Sequence, residues 1–288
     1  MKTLFLAGIA AAFFAPSIAS AQSADGEDGF SGVYIGAAGG YDVQPNDRGS
    51  SILFDTNLDG RFGDGVNTSG GTNAFAPPVG GFCNGRALAG TSPTNPTNPA
   101  GCAKDKDGWA YYGRVGYDYQ RGGLVVGAVG EFGKSEITDS VSAFSTTPAA
   151  YVMTRSIDWE ASIRGRVGYT PNNRTLFYGT FGPGYARIDR EFTTTNAVNG
   201  FSESGKRNHW GITGGGGIEQ KLTNNVSLGL EYMYHQYKDD DYRVRAGNSG
   251  TTAGTNPFLL VNGSGTDFRR SDDKFRWHSI RATAAYRF

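Results

Sequence analysis

Residues 277–288 read WHSIRATAAYRF, and the pattern of this stretch decides how the rest of the chain is read. Successive side chains of an extended strand point to opposite faces. On that period Ile280, Ala282, Ala284, Tyr286 and Phe288 share one face, whereas Ser279, Arg281, Thr283, Ala285 and Arg287 share the other. The first face is suited to touch lipid.

The same division recurs upstream. In WAYYGRVGYDYQ, Trp109, Tyr111, Val115, Tyr117 and Tyr119 oppose Tyr112, Arg114, Asp118 and Gln120. Around WEASIRGRVGY, Ile157, Trp159, Ala161, Ile163, Val167 and Tyr169 oppose Asp158, Glu160, Ser162, Arg164 and Arg166. In VSLGLEYMYHQ, Val226, Leu228, Leu230, Tyr232 and Tyr234 oppose Ser227, Glu231, Met233 and His235. Alternation alone does not say which face is outside. The aromatics decide it, because they gather at the ends of the apolar faces, as a girdle at two membrane interfaces requires. The opposite faces combine Arg with Asp or Glu and many glycines, which suits a narrow, ion-paired interior.

Eight such segments are predicted, at about 30–44, 107–120, 124–135, 155–169, 175–190, 208–222, 226–237 and 274–288. The connections at 121–123, 170–174 and 223–225 are short, whereas 45–106, 136–154, 191–207 and 238–273 are long. Short turns at one end and long loops at the other are the asymmetry of an outer-membrane barrel, and an even strand number leaves both termini at the periplasmic end. In hydrocarbon every backbone N–H and C=O must be bonded, so strands survive there only in a sheet that closes on itself. The fold expected is therefore all-β, an eight-stranded antiparallel up-and-down transmembrane β-barrel with long external loops.

The start of the chain agrees. Met1 and Lys2 precede an apolar run from Leu4 to Ala15, and Ala19-Ser20-Ala21 has the small-x-small form of a cleavage site, so residues 1–21 are predicted to be a signal peptide and 22–288 the barrel. Mean hydropathy is −0.41 and no long apolar segment follows Gln22, which excludes a helical membrane protein. Lys plus Arg and Asp plus Glu both number 27, so no nucleic-acid footprint is implied. Cys83 and Cys102 are an even pair in an exported chain and are expected to form a disulfide closing the long first loop, two free thiols being the alternative.

With these features the chain resembles the small eight-stranded outer-membrane β-barrel family of Gram-negative bacteria, the porin-like and surface-antigen proteins related in architecture to the transmembrane domain of outer membrane protein A. The residues that carry the resemblance are the opening strand GVYIGAAGGY, the strand–turn–strand GGGGIEQKLTNNVSLGLEYMYH and the ending AAYRF. In that family Tyr286 and the terminal Phe288 would form the recognition signal for the barrel-assembly machinery. The resemblance also implies outer-membrane lipid and lipopolysaccharide as surroundings.

Four constellations are candidates for chemistry. DTNLDGRFGDG, residues 55–65, offers Asp55, Asn57 and Asp59 at alternate positions before Gly60, like the first half of a calcium loop. Val66 stands where a bidentate Glu would be needed, so an EF-hand is excluded, and a calcium site would have to be completed by Asp64 or by Asp105 and Asp107. The alternative is a polar turn in which these residues simply favour loop conformations. Arg114, Glu131, Asp158, Glu160, Arg164, Arg166, Glu219, Glu231, Arg281 and Arg287 are expected to point into the lumen, which eight strands leave just wide enough for side chains to fill. His209 and His235 share the inward parity and His278 has the outward one, which argues against a metal or catalytic cluster. A lipid-modifying enzyme is disfavoured because His278 is followed by Ser279 on the opposite face. Stretches such as TSPTNPTNP and GNSGTTAGTNP suggest a hydrated surface coat. The functional expectation is a structural, non-enzymatic outer-membrane barrel with at most narrow porin-like permeability. Loop-mediated binding or adhesion, with calcium as the one conceivable cofactor and an unidentified surface ligand, is the runner-up.

Overall fold

The computed structural model describes residues 29–45, 50–77, 80–83, 103, 105–147, 149–250 and 252–288. The expected signal sequence, Cys102 and the side chain of Cys83 lie outside the described residues. In chain order the strands are β1 (Gly32–Val43), β2 (Ile52–Asp55), β3 (Gly81–Cys83), β4 (Gly108–Arg121), β5 (Leu124–Ser135), β6 (Thr138–Ser145) and β7 (Ala149–Tyr169). They continue with β8 (Thr175–Thr194), β9 (Gly200–Ser204), β10 (Asn208–Lys221), β11 (Val226–Lys238), β12 (Arg243–Gly247), β13 (Thr266–Arg270) and β14 (Lys274–Arg287).

Eight of these strands close into a cylinder. The order is β7-β5-β4-β1-β14-β11-β10-β8, and β8 pairs back onto β7. Every pairing is antiparallel, and the seam between the first and last strands, from Tyr34 opposite Arg287 to Val43 opposite His278, is fully laddered. The wall therefore has no free edge. Its packing uses glycine where strands crowd: a methyl on Gly36 would overlap the carbonyl oxygen of Ala284, and one on Gly40 that of Ile280.

The outer face is apolar. Ile163, Ile280 and Phe288 are 69, 66 and 71% exposed, values that no water-soluble wall of this regularity would carry, so lipid must cover them. At one end Phe132, Trp159, Tyr185 and Trp210 form a contiguous aromatic arc with ring centroids 4.8–5.9 Å apart. At the other end stand Tyr117, Tyr119, Tyr169 and Tyr286, also exposed. One irregularity lies between these girdles: the β7–β8 ladder passes from Ser162–Gly184 to Gly165–Phe181, omitting the residues beside Pro183, which has no N–H to donate.

Two strands depart from the predicted lengths. β7 and β8 run on beyond the wall, and β6 pairs with the extension of β7 from Thr138–Ser156 to Ser145–Ala149. Near the start of that extension, β7 carries a bulge between Ile157 and Trp159. The long connections then build a second sheet, ordered β2-β13-β12-β9. Its inner face and β6–β7 enclose a hydrophobic core of Ile52, Phe54, Phe75, Val141, Tyr151, Met153, Val244, Phe258 and Phe268. Of the stretches expected to form a hydrated coat, 91–99 lies outside the described residues and 247–257 is exposed or half-exposed where described, whereas other parts of the loops form a folded head. Its core is assembled from residues far apart in sequence, each segment contributing too few apolar positions to register as a pattern.

Candidate functional site

The interior is packed in tiers. Next to the short turns, Arg166 and Arg287 share Asp118 at 3.0 Å each and both reach Glu219. Ser227 Oγ donates to Glu219 at 2.7 Å, and the Arg166 guanidinium lies 3.9 Å from the centroid of Tyr178. In the middle tier Glu131 accepts Arg114, Arg164 and Arg281 at 3.1, 2.7 and 2.9 Å. Glu231 pairs with Arg281 at 3.0 Å and with Arg114 at 3.4 Å. All five of these side chains are buried. Each guanidinium of this tier serves more than one acceptor, while Arg114 Nε, Arg164 Nη2 and Arg281 Nη1 are buried without a hydrogen-bond partner.

Above that tier the character changes. Tyr237 donates its hydroxyl to Glu160 at 2.8 Å, and His235 Nδ1 lies 3.2 Å from the same carboxylate oxygen. The His235 ring stacks on Trp277 at 4.8 Å with an interplanar angle of 6°. Asp42, also buried, accepts from Ser135 at 2.6 Å. Trp277 and Tyr237 then join Ile137, Ile157, Ala186, Ile188 and Phe275 in a buried apolar cluster.

Of the ten charges expected inside, nine are buried in these tiers and one is not. Asp158 stands at the β7 bulge, half-exposed, with its carboxylate 3.3 Å from Arg187. Ile157 pairs with Ile188 and Trp159 with Arg187, which leaves Asp158 without a partner opposite. The extra residue reverses the strand parity above it. Ile157, expected on the outer face, is therefore buried, and Arg155 is turned inward.

Arg155 is the hub between barrel and head. It reaches Asp139 at 2.6 Å and Asp239 and Asp272 at 3.2 Å, and donates to the Lys274 carbonyl at 3.0 Å. Arg270 braces Asp139 from the second sheet at 2.5 Å. Burial alone would raise the Asp139 pKa, but the two guanidiniums hold it at about 2 against an ordinary 3.8. Sequence reading missed this hub because Asp139 and Arg270 fall in predicted loops and the bulge hides the parity of Arg155.

The histidines do not converge: His278 Nδ1 meets the Tyr232 hydroxyl at 2.6 Å on the outer face, away from His235. His209, Asp239 and Asp241 do lie close enough to share an ion. Arg190 occupies that position instead, bonding Asp239, Asp241 at 3.0 Å and His209 Nε2 at 2.6 Å.

In the stretch from Asp55 to Gly65 the oxygens are aimed at the loop's own backbone. Asp55 accepts the N–H groups of Asp59 and Gly60 at 3.2 and 2.8 Å, Asn57 accepts that of Asp59 at 2.9 Å, and Asp59 accepts that of Arg61 at 2.8 Å. Asp64 accepts both the N–H and the hydroxyl of Thr56 at 2.9 and 3.1 Å. Gly60 takes the left-handed turn at φ 86°. These bonds hold the stretch in a turn through its own backbone and Thr56.

A closed cylinder with a lipid-facing wall, an ion-paired lumen and two aromatic girdles is an outer-membrane β-barrel protein. The chain belongs to the family described as "Outer membrane protein beta-barrel domain", whose model matches residues 8–288. It is 31% identical over 122 residues to a 31 kDa outer-membrane immunogenic protein of Brucella melitensis, covering 42% of this chain and 50% of that one. It is 33% identical over 146 residues to a 22 kDa outer membrane protein of Rhizobium leguminosarum, covering 50% of this chain and 61% of the relative. The match thus spans only about half to three-fifths of these relatives. The crystal structure of the outer membrane protein OprG from Pseudomonas aeruginosa superposes over 91% of this chain and 98% of that one, with a TM-score of 0.48 and 13% identity.

Proposed function

We propose that the protein is a non-catalytic structural barrel whose lumen is plugged and whose role is to hold the folded head at the cell surface, with the loops outside and the termini periplasmic. The observation that carries this reading is the middle tier, where three arginines and two glutamates are locked together across the lumen at 2.7–3.4 Å. Breaking a buried pair of this kind costs about 3–5 kcal/mol, so thermal opening of a solute path through it is disfavoured. The orientation follows from loop length, since short turns suit the periplasmic end and a folded head suits the outside. The lipid and lipopolysaccharide contacts, and recognition of Tyr286 and Phe288 by the assembly machinery, belong to the same reading. Protease added to intact cells tests it. Cleavage confined to the head, leaving a protected barrel fragment, is expected; protection of the head with cleavage only in lysed cells would reverse the orientation.

A further inference from the structure

The outer face of the head sheet carries an arrangement that barrel packing does not require. Val244 of β12 pairs with Phe268 of β13, and both are buried in the head core. One residue on, Arg243 and Arg269 therefore stand opposite each other on the outer face. Like charges directly across a strand pair are destabilising. The Asp-stapled loop brings Phe62 onto both of them, with the guanidinium carbons of Arg243 and Arg269 at 4.6 and 4.7 Å from the ring centroid. Cation–π contact offsets part of the repulsion but neutralises no charge.

Their surroundings leave these arginines open to an anion. Among the described residues neither forms an ion pair: Arg243 donates only to the carbonyls of Asp240 and Tyr242, and Nε of Arg269 is buried without an acceptor. The nearby carboxylates are committed elsewhere. Asp267 takes the neighbouring Arg245 in a two-pronged bond at 2.7 and 2.9 Å, and Asp55 is spent on its own loop. Burial, and after it the Arg269 charge, draw the pKa of Arg243 below its ordinary value against the opposing pull of Asp267, Asp241 and Asp240, of which Asp241 is paired with Arg190 and Asp240 with Lys238. On the adjoining strand, opposite Arg243 and Arg245, Ser204 and Ser202 expose hydroxyls.

We propose that Arg243, Arg269 and Phe62 form a binding site for a sulfate or phosphate ester group carried on a saccharide. The planar guanidinium fork matches such oxyanions, the ring offers a face for sugar C–H groups, and the serines offer partners for sugar hydroxyls. On this reading the stapled loop serves to position Phe62. The site rests on the reading that the head faces outward, but its binding is measurable on refolded protein in detergent, independently of orientation or lumen conductance.

The test is calorimetric titration of the refolded full chain with a sulfated disaccharide, a phosphorylated disaccharide, the unmodified disaccharide and sodium sulfate. Binding of one or both esterified sugars is expected, with competition by sulfate and none by the unmodified sugar. Preference for the sulfate ester points to an external glycan, and preference for the phosphate ester to the phosphorylated glycolipid of the same membrane. Arg243→Gln and Arg269→Gln should each weaken binding about tenfold or more, the worth of a hydrogen bond to a charged group. Arg245→Gln, whose partner is Asp267, should change it less than about threefold. Phe62→Leu should weaken binding without removing a charge, and parent-like resistance of the head to limited proteolysis verifies that each variant is folded. Equal binding of modified and unmodified sugars, or parent-like affinity in folded Arg243→Gln and Arg269→Gln, would overturn the site.

Discussion

Replacing Arg155 by Met tests whether the head is fastened to the barrel by the hub above the bulge. The guanidinium is 1% exposed and holds Asp139, Asp239 and Asp272 together. Its loss leaves Asp139 with Arg270, Asp239 with Arg190 and Asp272 with Arg276. Because each carboxylate keeps one partner, the cost lies at the low end of that for a broken buried pair, about 3 kcal/mol. At 1.4 kcal/mol per tenfold, the open population of the head rises roughly a hundredfold. Limited proteolysis reads this directly, since cleavage of a locally opened region follows its equilibrium population when closing is fast. Head cleavage should accelerate by that order while the barrel keeps its heat-dependent gel shift. Parent-like protection of the head in Arg155→Met would refute the hub.

Three further outcomes follow from the same geometry. Asp139 ionises at about 2 in the folded chain against 3.8 ordinarily. A lowered folded pKa contributes above the unfolded value and is lost as pH falls, so about 2 kcal/mol of head stability should vanish between roughly pH 4 and pH 2, followed by near-ultraviolet circular dichroism. Gly36→Ala should impair barrel folding because the methyl meets the Ala284 carbonyl, whereas Gly113→Ala, with 3.9 Å to the nearest atom, should refold like the parent in urea titrations. Chelation of calcium should leave proteolysis of the 55–65 loop unchanged, since hydrogen bonds within the loop hold it; slower cleavage with added calcium would favour an ion site.

The barrel was legible because lipid imposes a strict period of two on every spanning strand. Where the register is unbroken, as from Val226 to His235, parity alone places each side chain. Asp158 shows the limit: one bulge residue inverts everything beyond it, and a bulge leaves no mark in composition. The head was not legible because Phe54, Met153, Val244 and Phe268 meet only in three dimensions. The Asp55–Gly65 stretch was legible only as half a calcium loop or a polar turn, because the backbone donors that its side chains meet are not revealed by side-chain spacing.

On the proposed function, the Arg114–Glu131–Arg164–Glu231–Arg281 tier closes the lumen. Refolded protein inserted into a planar lipid bilayer tests it most directly. A baseline without ion-conducting steps across the applied voltages is the predicted result. Steady, long-lived conductance steps from the folded chain would contradict it.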